Sequence, residues 1–291
     1  MIGTRISSAK NIKEALRGSG LDWQVQKQML YTKDAQPTNY YGIRRLDNDV
    51  VIGSCKRRYE EIQNEDGLGM FDDAVARGVL KYDTAGRLDH YGAKVFITAT
   101  LNRQLDIGND PVKQGLMLIT SHDGSICNLV LSVFERIFCS NQISGLINSA
   151  KVRVKHTRGA FYNLDRIRDY IDQVVYRGVA FEQMGRQMKA TKIDGLSVNR
   201  FILSLGIDLK ESKQAQEKHS KIKHLFTYGK GNKGESVWDI LNAVTEYVDH
   251  HSITRGANTG QRVANRARSI TIGSGNLLKQ KALTKAKELI G

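Results

Sequence analysis

The sequence has few of the residues that mark extended linkers, disulfide frameworks or membrane spans. Only two prolines are present, Pro37 and Pro111, which argues against long extended linkers. The three cysteines, Cys55, Cys127 and Cys139, form no CxxC pair, so we expect reduced structural residues and a cytoplasmic location. No apolar run approaches the roughly 18 residues of a membrane span, and the N-terminus lacks the apolar core of a signal peptide.

The familiar catalytic and nucleotide-binding motifs are also missing. No GxGxxG or GxxxxGK[ST] opens a helix after a strand, and no HExxH is present, so we expect no cofactor. His122, Asp123 and His156 would form a metal site with Glu246 or Asp249 only if the fold brought them together; the alternative is a structural polar network. We therefore predict no catalytic residue and no metal, and keep a metal-dependent nuclease as the alternative.

The charge of the chain is unevenly distributed. Lys and Arg number 44 against 30 Asp and Glu, a formal net charge of +14. Residues 1–150 hold 18 basic and 17 acidic residues, whereas residues 151–291 hold 26 and 13, so almost all the excess lies in the second half. Excess charge of one sign repels itself unless a partner neutralises it. We therefore favour binding of a polyanion over the alternative, in which the Lys and Arg side chains only keep the protein soluble.

Hydrophobic periodicity predicts strands in the first half and helices in the second. Alternating residues predict a hairpin at the centre of a sheet over 115–139 and further strands at 21–31, 40–45, 50–54, 79–87 and 92–103. One helix is predicted at 64–77, and four more at 164–189, 197–205, 212–226 and 236–251. The predicted fold class is α+β: a mainly antiparallel sheet crossed by a helix, then helices, then a basic C-terminal tail.

This order divides the chain into three parts. Residues 1–20 are predicted to be a leader, and 21–255 an α+β core that is strand-rich over 21–156 and helical over 163–252. Residues 256–291 carry seven cations against one acid, which predicts a mobile basic tail with a short terminal helix.

Two basic segments are candidate phosphate contacts. Lys56, Arg57 and Arg58 are consecutive and are followed by Tyr59, which we predict to stack on a base. The alternative is an edge strand that charge protects from aggregation.

The second segment alternates strictly. Lys151, Arg153 and Lys155 share one side of a predicted strand, about 6–7 Å apart. The positive charges on this face repel one another unless they bind phosphate. The alternative is a strand whose cationic side is simply exposed to solvent. Arg103 and Arg136 are further candidates for nucleic-acid binding.

Several motifs carry a resemblance to a known family. They are RYEEIQN (58–64), SHDGS (121–125), RIFCSN (136–141), His156-Thr157 and WDILNAVTEYVDH (238–250). In this ordered set the sequence resembles the phage- and plasmid-like proteins grouped as domain of unknown function 932. The segment RIFCSN departs from the family's usual Arg-Val-Val-Cys-x-Asn, which changes packing more than chemistry. The resemblance implies a mobile-element origin, and hence the host cytoplasm if a phage encodes the chain.

The order of predicted elements is also similar to that of single-strand annealing proteins of the Rad-fifty-two type. No motif carries this second likeness. It implies rings that hold single-stranded DNA in a basic groove.

The sequence therefore predicts a single-stranded nucleic-acid-binding and annealing protein of a phage or plasmid, active in recombination. It is expected to act without a cofactor, as a homo-oligomeric ring or filament on single-stranded DNA. The alternatives are the metal-dependent nuclease and a non-enzymatic protein that binds an acidic host partner through its positive charge.

Overall fold

The structure, a computed structural model, describes residues 3–137, 142–144, 152–154, 164–210 and 212–291. Over these residues the fold is α+β, with antiparallel sheets in the first half and most of the helices in the second. This confirms the fold class that the residue periodicity predicts.

The described strands form a large and a small antiparallel sheet. The large sheet has the order β1-β5-β6-β7-β8-β10, with β9 also pairing with β8, and the small sheet has the order β2-β3-β4. The predicted central hairpin is β7–β8, in which Leu118 pairs with Val130. The strands are β1 (Thr4–Arg5), β2 (Val25–Tyr31), β3 (Pro37–Arg45), β4 (Val51–Lys56), β5 (Leu80–Arg87), β6 (Lys94–Asp106), β7 (Pro111–Ser121), β8 (Asn128–Arg136), β9 (Gln142–Ser144) and β10 (Val152–Val154).

Helices pack against the sheets and make up most of the second half of the chain. Their bounds are α1 (Ile12–Ser19), α2 (Asn64–Leu68), α3 (Asp72–Ala76), α4 (Leu164–Ala190), α5 (Gly195–Ser204), α6 (Lys213–Tyr228), α7 (Val237–Glu246), α8 (Thr259–Thr271) and α9 (Ser274–Glu288). A π-helical turn, Tyr247–His251, continues α7. In the described part of the chain no helix combines the length and hydropathy needed to cross a membrane.

Three apolar clusters hold the layers together, and the smallest of them packs Ala267 of α8 against the large sheet. The first joins both sheets to α1–α3 and includes Trp23 and Ile43. The second joins the far end of the large sheet to the helical half. There Phe181 of α4 stacks on Phe134 of β8 with ring centres 3.9 Å apart, and meets Trp238 of α7 edge-on at 6.2 Å. The helical half is thus anchored on a strand of the central hairpin.

Residues 3–20 belong to the core rather than to a separate leader. Asn11 caps α1 by accepting a hydrogen bond from the Glu14 backbone N–H, and Gly20 ends it in the left-handed conformation, at φ 67°. Ile12 and Leu16 are buried in the first cluster, and β1 pairs with β5. Apolar burial of one helix face therefore corrects the predicted boundary at residue 20.

Residues 256–291 are basic as predicted, but the prediction of a mobile tail with a short helix is wrong. They form α8 and α9, whose small apolar side chains, Ala267 and Ala282 among them, are buried. Lys279 of α9 is 1% exposed and donates to Asp249 Oδ1 at 2.7 Å. The buried ion pair thus fixes α9 to the π-helical turn, while the alanines pack into the apolar clusters.

Candidate nucleic-acid interface

The small sheet has one buried face and one face open to solvent. Val25, Ile43 and Cys55 point into the first apolar cluster. Because successive side chains on a strand alternate between faces, Tyr40 and Lys56 point the other way. We call the solvent side the outer face; its residues are Gln26, Gln28, Tyr40, Arg44, Val51, Ser54 and Lys56.

Tyr40 and Lys56 are directly opposite each other in the β3–β4 register. Tyr40 is 50% exposed and Lys56 is exposed. Directly opposed residues have Cβ atoms about 4.5–5.5 Å apart, so the two side chains leave the sheet at neighbouring positions on the same face. An exposed ring beside a cation is the combination that stacks a base while holding its phosphate.

The Lys56–Arg58 segment extends this surface beyond the end of β4. All three side chains are exposed, and none forms an ion pair within the described part of the chain. Lys27 of β2 fastens the segment from the core side, because its Nζ donates to the carbonyls of Arg57 at 2.8 Å and Tyr59 at 2.5 Å. The backbone is held while the three cations remain available to an anion.

A close approach between β4 and the 121–125 turn fixes the position of this surface. A Cβ atom on Gly53 would lie 2.6 Å from Asp123 Cα, so the contact requires a glycine.

Tyr59 reaches the same turn, where its hydroxyl donates to the Ser121 carbonyl at 3.0 Å. Burial raises the pKa of Tyr59. Its ring packs against the core, so the structure corrects the prediction that Tyr59 stacks on a base.

Arg136 is also placed differently from its prediction. Its side chain is only 3% exposed, and its Nε donates to Asp110 Oδ2. Its Nη atoms donate to the carbonyls of Lys230 at 2.9 Å and Gly231 at 2.8 Å. Trp238 Nε1 donates to the same Asp110 oxygen at 2.8 Å. Arg136 therefore joins β8 to the 229–235 loop and α7, and phosphate cannot reach it.

Arg103 lies at the surface with a partner. Its side chain is half exposed, and Nη2 lies 3.4 Å from Glu182 Oε2 of α4. A pair this open is readily exchanged for phosphate, so Arg103 stays a candidate.

The predicted cationic strand lies largely outside the described residues. The structure confirms a strand at Val152–Val154, in which Arg153 pairs with Leu129 of β8. Lys151, Lys155 and His156 lie outside the described residues, so the phosphate track of Lys151, Arg153 and Lys155 stays a prediction.

His122 and Asp123 belong to a polar network beneath the small sheet. His122 is 1% exposed, and its Nε2 lies 2.9 Å from Asn64 Oδ1. Since that oxygen only accepts, Nε2 carries the proton. Asp123 bonds to Lys94 and Ser125. Burial opposes ionisation of Asp123, but the hydrogen bonds from these two residues outweigh it and lower the pKa.

Glu246 and Asp249 belong to a second network in the helical half. Glu246 Oε2 accepts from the Lys230 backbone N–H at 3.2 Å, and Asp249 pairs with Lys279. In the described ranges no group of three or more His, Cys, Asp or Glu side chains is placed to hold a metal.

Sequence reasoning missed Tyr40, the exposed ring of the interface. Its hairpin was predicted, but the predicted strand began at Tyr40 itself, whereas β3 begins at Pro37. The register Tyr40↔Lys56 was the missing information, and the alternation of buried and polar residues on both strands is the signal that leads to it.

A family model described as a domain of unknown function (DUF932) matches residues 51–271, more than half of the chain. The match includes β4 and the Lys56–Arg58 segment, whereas β2 and β3 precede it. Neither a curated protein nor a solved structure matches the chain. The likeness to annealing proteins of the Rad-fifty-two type stays a prediction.

Proposed function

The chain belongs to the DUF932 family, whose description gives no function, and we propose from its surface chemistry that it binds single-stranded nucleic acid and anneals complementary strands as a homo-oligomer. The observation that supports this most directly is the outer face of the small sheet. It presents Tyr40 beside Lys56, and the exposed Arg57 and Arg58 continue it.

Each part of this surface has a role in the proposal. The Lys56–Arg58 segment holds successive phosphates, and Tyr40 stacks on a base without selecting its identity. Gln26 and Gln28 are exposed on the same face and offer amides to base edges or sugars. The predicted cations at 151, 153 and 155 and the net charge of the second half supply further phosphate contacts.

In this proposal the protein promotes annealing by presenting a bound strand to its complement, and this needs no cofactor. The protein clamps the backbone of a strand and leaves the base edges exposed. Complementary strands then pair because they are concentrated and unwound. The proposal includes a phage or plasmid origin and a role in recombination, which the family resemblance suggests.

The test is fluorescence anisotropy with two unrelated labelled oligonucleotides over a salt series. The variant Lys56→Ser/Arg57→Ser/Arg58→Ser is compared with Lys10→Ser/Arg17→Ser/Lys81→Ser, which removes the same charge from exposed positions on other elements. The first variant should lose affinity for both sequences, with a salt slope lower by about 0.7 per lost contact. Equal losses in the two variants, or magnesium-dependent loss of labelled DNA, would contradict the proposal.

A further inference from the structure

A second group of cations lies in the helical half, away from the small sheet. Three elements contribute to it: Lys221 and His224 from α6, His250 and His251 from the π-helical turn, and Arg266 from α8. His224, His250 and His251 are exposed, and Lys221 and Arg266 are half-buried. We call these five residues the histidine cluster.

Two contacts position members of the cluster, one at the π-helical turn and one within α6. Arg266 Nη2 donates to the Asp249 carbonyl at 2.5 Å, which fastens α8 to the turn. The His224 ring lies 4.9 Å from the Tyr228 ring on the same helix. A π-helical turn inserts one residue into a helix, and here the consecutive His250 and His251 are both left exposed.

The acids near the cluster do not neutralise it. Asp249 is buried, and its Oδ1 accepts from Lys279 at 2.7 Å, so its charge is balanced inside the fold. Glu217 of α6 acts on Tyr247, at the start of the turn, where Lys218 also lies 5.7 Å from the ring centre. Each of these two acids therefore has a lysine close to it.

His251 lies among several positively charged groups. Partial burial and the charges of Lys221, His250, Arg266 and His224 together lower the pKa of His251. The charges that lower its pKa are those of cationic groups, so protonation of the ring adds to charge already present. An anion bound among these groups would remove the repulsion.

We propose that the histidine cluster is a second binding site for the phosphate groups of a nucleic-acid backbone, and that it binds them more tightly as its histidines become protonated below neutral pH. This inference rests on the proposed function, because it assigns a second contact to the same ligand. Guanidinium, ammonium and imidazolium groups from three elements can converge on phosphate oxygens. Proton binding and phosphate binding are linked, so each strengthens the other.

The experiment measures oligonucleotide affinity at about pH 7.5 and about pH 6, at constant ionic strength, on either side of the usual histidine pKa. The test variant is His224→Gln/His250→Gln/His251→Gln, and the control is His90→Gln, another exposed histidine. The parent and the control should bind on the order of tenfold more tightly at the lower pH. The test variant should lose most of that gain. Equal tightening in the test variant and the parent would overturn the inference.

Two further measurements separate this inference from the proposed function. The Lys56→Ser/Arg57→Ser/Arg58→Ser variant should bind less tightly at both pH values and still gain affinity as the pH falls. If the parent bound no oligonucleotide at all, the proposed function would fail. Histidine titration by NMR with inorganic pyrophosphate would then decide the inference: a rise in the pKa of His251 supports it, and an unchanged pKa overturns it.

Discussion

At the scale of single residues, arginines with the same charge have opposite roles in this chain. Arg57 and Arg58 are exposed, whereas Arg136 is 3% exposed and bonds to Asp110. The two roles differ because Arg136 has a buried carboxylate as its partner. Asp110 directly precedes β7, and that strand places the carboxylate against the end of β8. No pattern around Arg136 in the sequence identifies this partner.

The first prediction concerns this buried pair. Arg136→Met should destabilise the fold by about 3–5 kcal/mol, because it leaves Asp110 buried without its cation. The matched control Arg103→Met removes a half-exposed partner of Glu182, and should change stability by about 0–1 kcal/mol. Urea denaturation followed by circular dichroism measures both. A stable Arg136→Met protein with weakened DNA binding would restore the original prediction of a phosphate contact.

The second prediction concerns the exposed ring beside Lys56. Tyr40→Ala should weaken single-strand binding by about 1–3 kcal/mol, since one stacked base loses its platform. Stability should change little, because the Tyr40 side chain is half exposed. Tyr176→Ala removes a ring that is 78% exposed on α4, and serves as the control for loss of an exposed aromatic side chain. Anisotropy with a short oligonucleotide measures the effect, and an equal loss in both variants would remove Tyr40 from the interface.

At the scale of helices and strands, the sequence predicts most of the strands because a period of two is a local signal. The strands predicted at 79–87 and 92–103 are found as β5 and β6, Leu80–Arg87 and Lys94–Asp106. The helix predicted at 64–77 is interrupted, with α2 and α3 separated by a 3₁₀ turn at Gly69–Phe71. Glycine is a poor helix former, and Gly67 and Gly69 weaken the middle of that segment.

Burial of the C-terminal segment depends on partners that are distant in the sequence, so a local pattern does not predict it. The high charge of this segment is typical of a disordered tail. Two buried alanines, Ala267 of α8 and Ala282 of α9, however, pack against the large sheet and against α7, respectively. Only the folded chain shows that Lys279 has Asp249 as its partner. Composition alone does not distinguish a solvated lysine from a buried, paired one.

The third prediction follows from that correction. Truncation at Gly256 should destabilise the whole fold, because it exposes the surfaces that Ala267, Ile270 and Ala282 cover and leaves Asp249 buried without Lys279. Thermal unfolding of the truncated protein should show a lower midpoint than that of the parent. The variant Arg268→Ser/Lys281→Ser/Lys287→Ser removes three exposed cations and should unfold like the parent. A truncated protein as stable as the parent would show that α8 and α9 contribute no stability.

The fourth prediction concerns the cationic strand. Replacing Lys151, Arg153 and Lys155 with Ser should weaken binding of both test oligonucleotides by at least about tenfold, or 1.4 kcal/mol, at moderate salt. Circular dichroism should show that the variant remains folded. A folded variant that binds like the parent would leave the Lys56–Arg58 segment as the principal phosphate contact.

At the scale of the whole molecule, the small sheet leaves one edge of β2 without a neighbouring strand among the described residues. In the described part of the chain β2 pairs only with β3. Gln63 covers the first residue of the β2 edge that faces away from β3. Its side-chain oxygen accepts from the Val25 N–H, and its Nε2 donates to the Val25 carbonyl, both at 2.9 Å. Met29 and Tyr31, further along β2, are 38% and 61% exposed. An open edge flanked by exposed apolar side chains is a template for strand addition.

The fifth prediction is that the protein self-associates through this edge. Head-to-tail contact between β2 and a different surface of the next subunit would generate a ring if the rotation closes and a filament if it does not. Met29→Lys/Tyr31→Lys should dissociate the assembly, since charge on an edge strand blocks pairing. The variant should keep its fold, because both side chains are exposed. Light scattering at micromolar concentration, with and without oligonucleotide, measures the mass. A parent protein that is monomeric in both conditions would count decisively against a ring, and a variant that assembles like the parent would place the contact elsewhere.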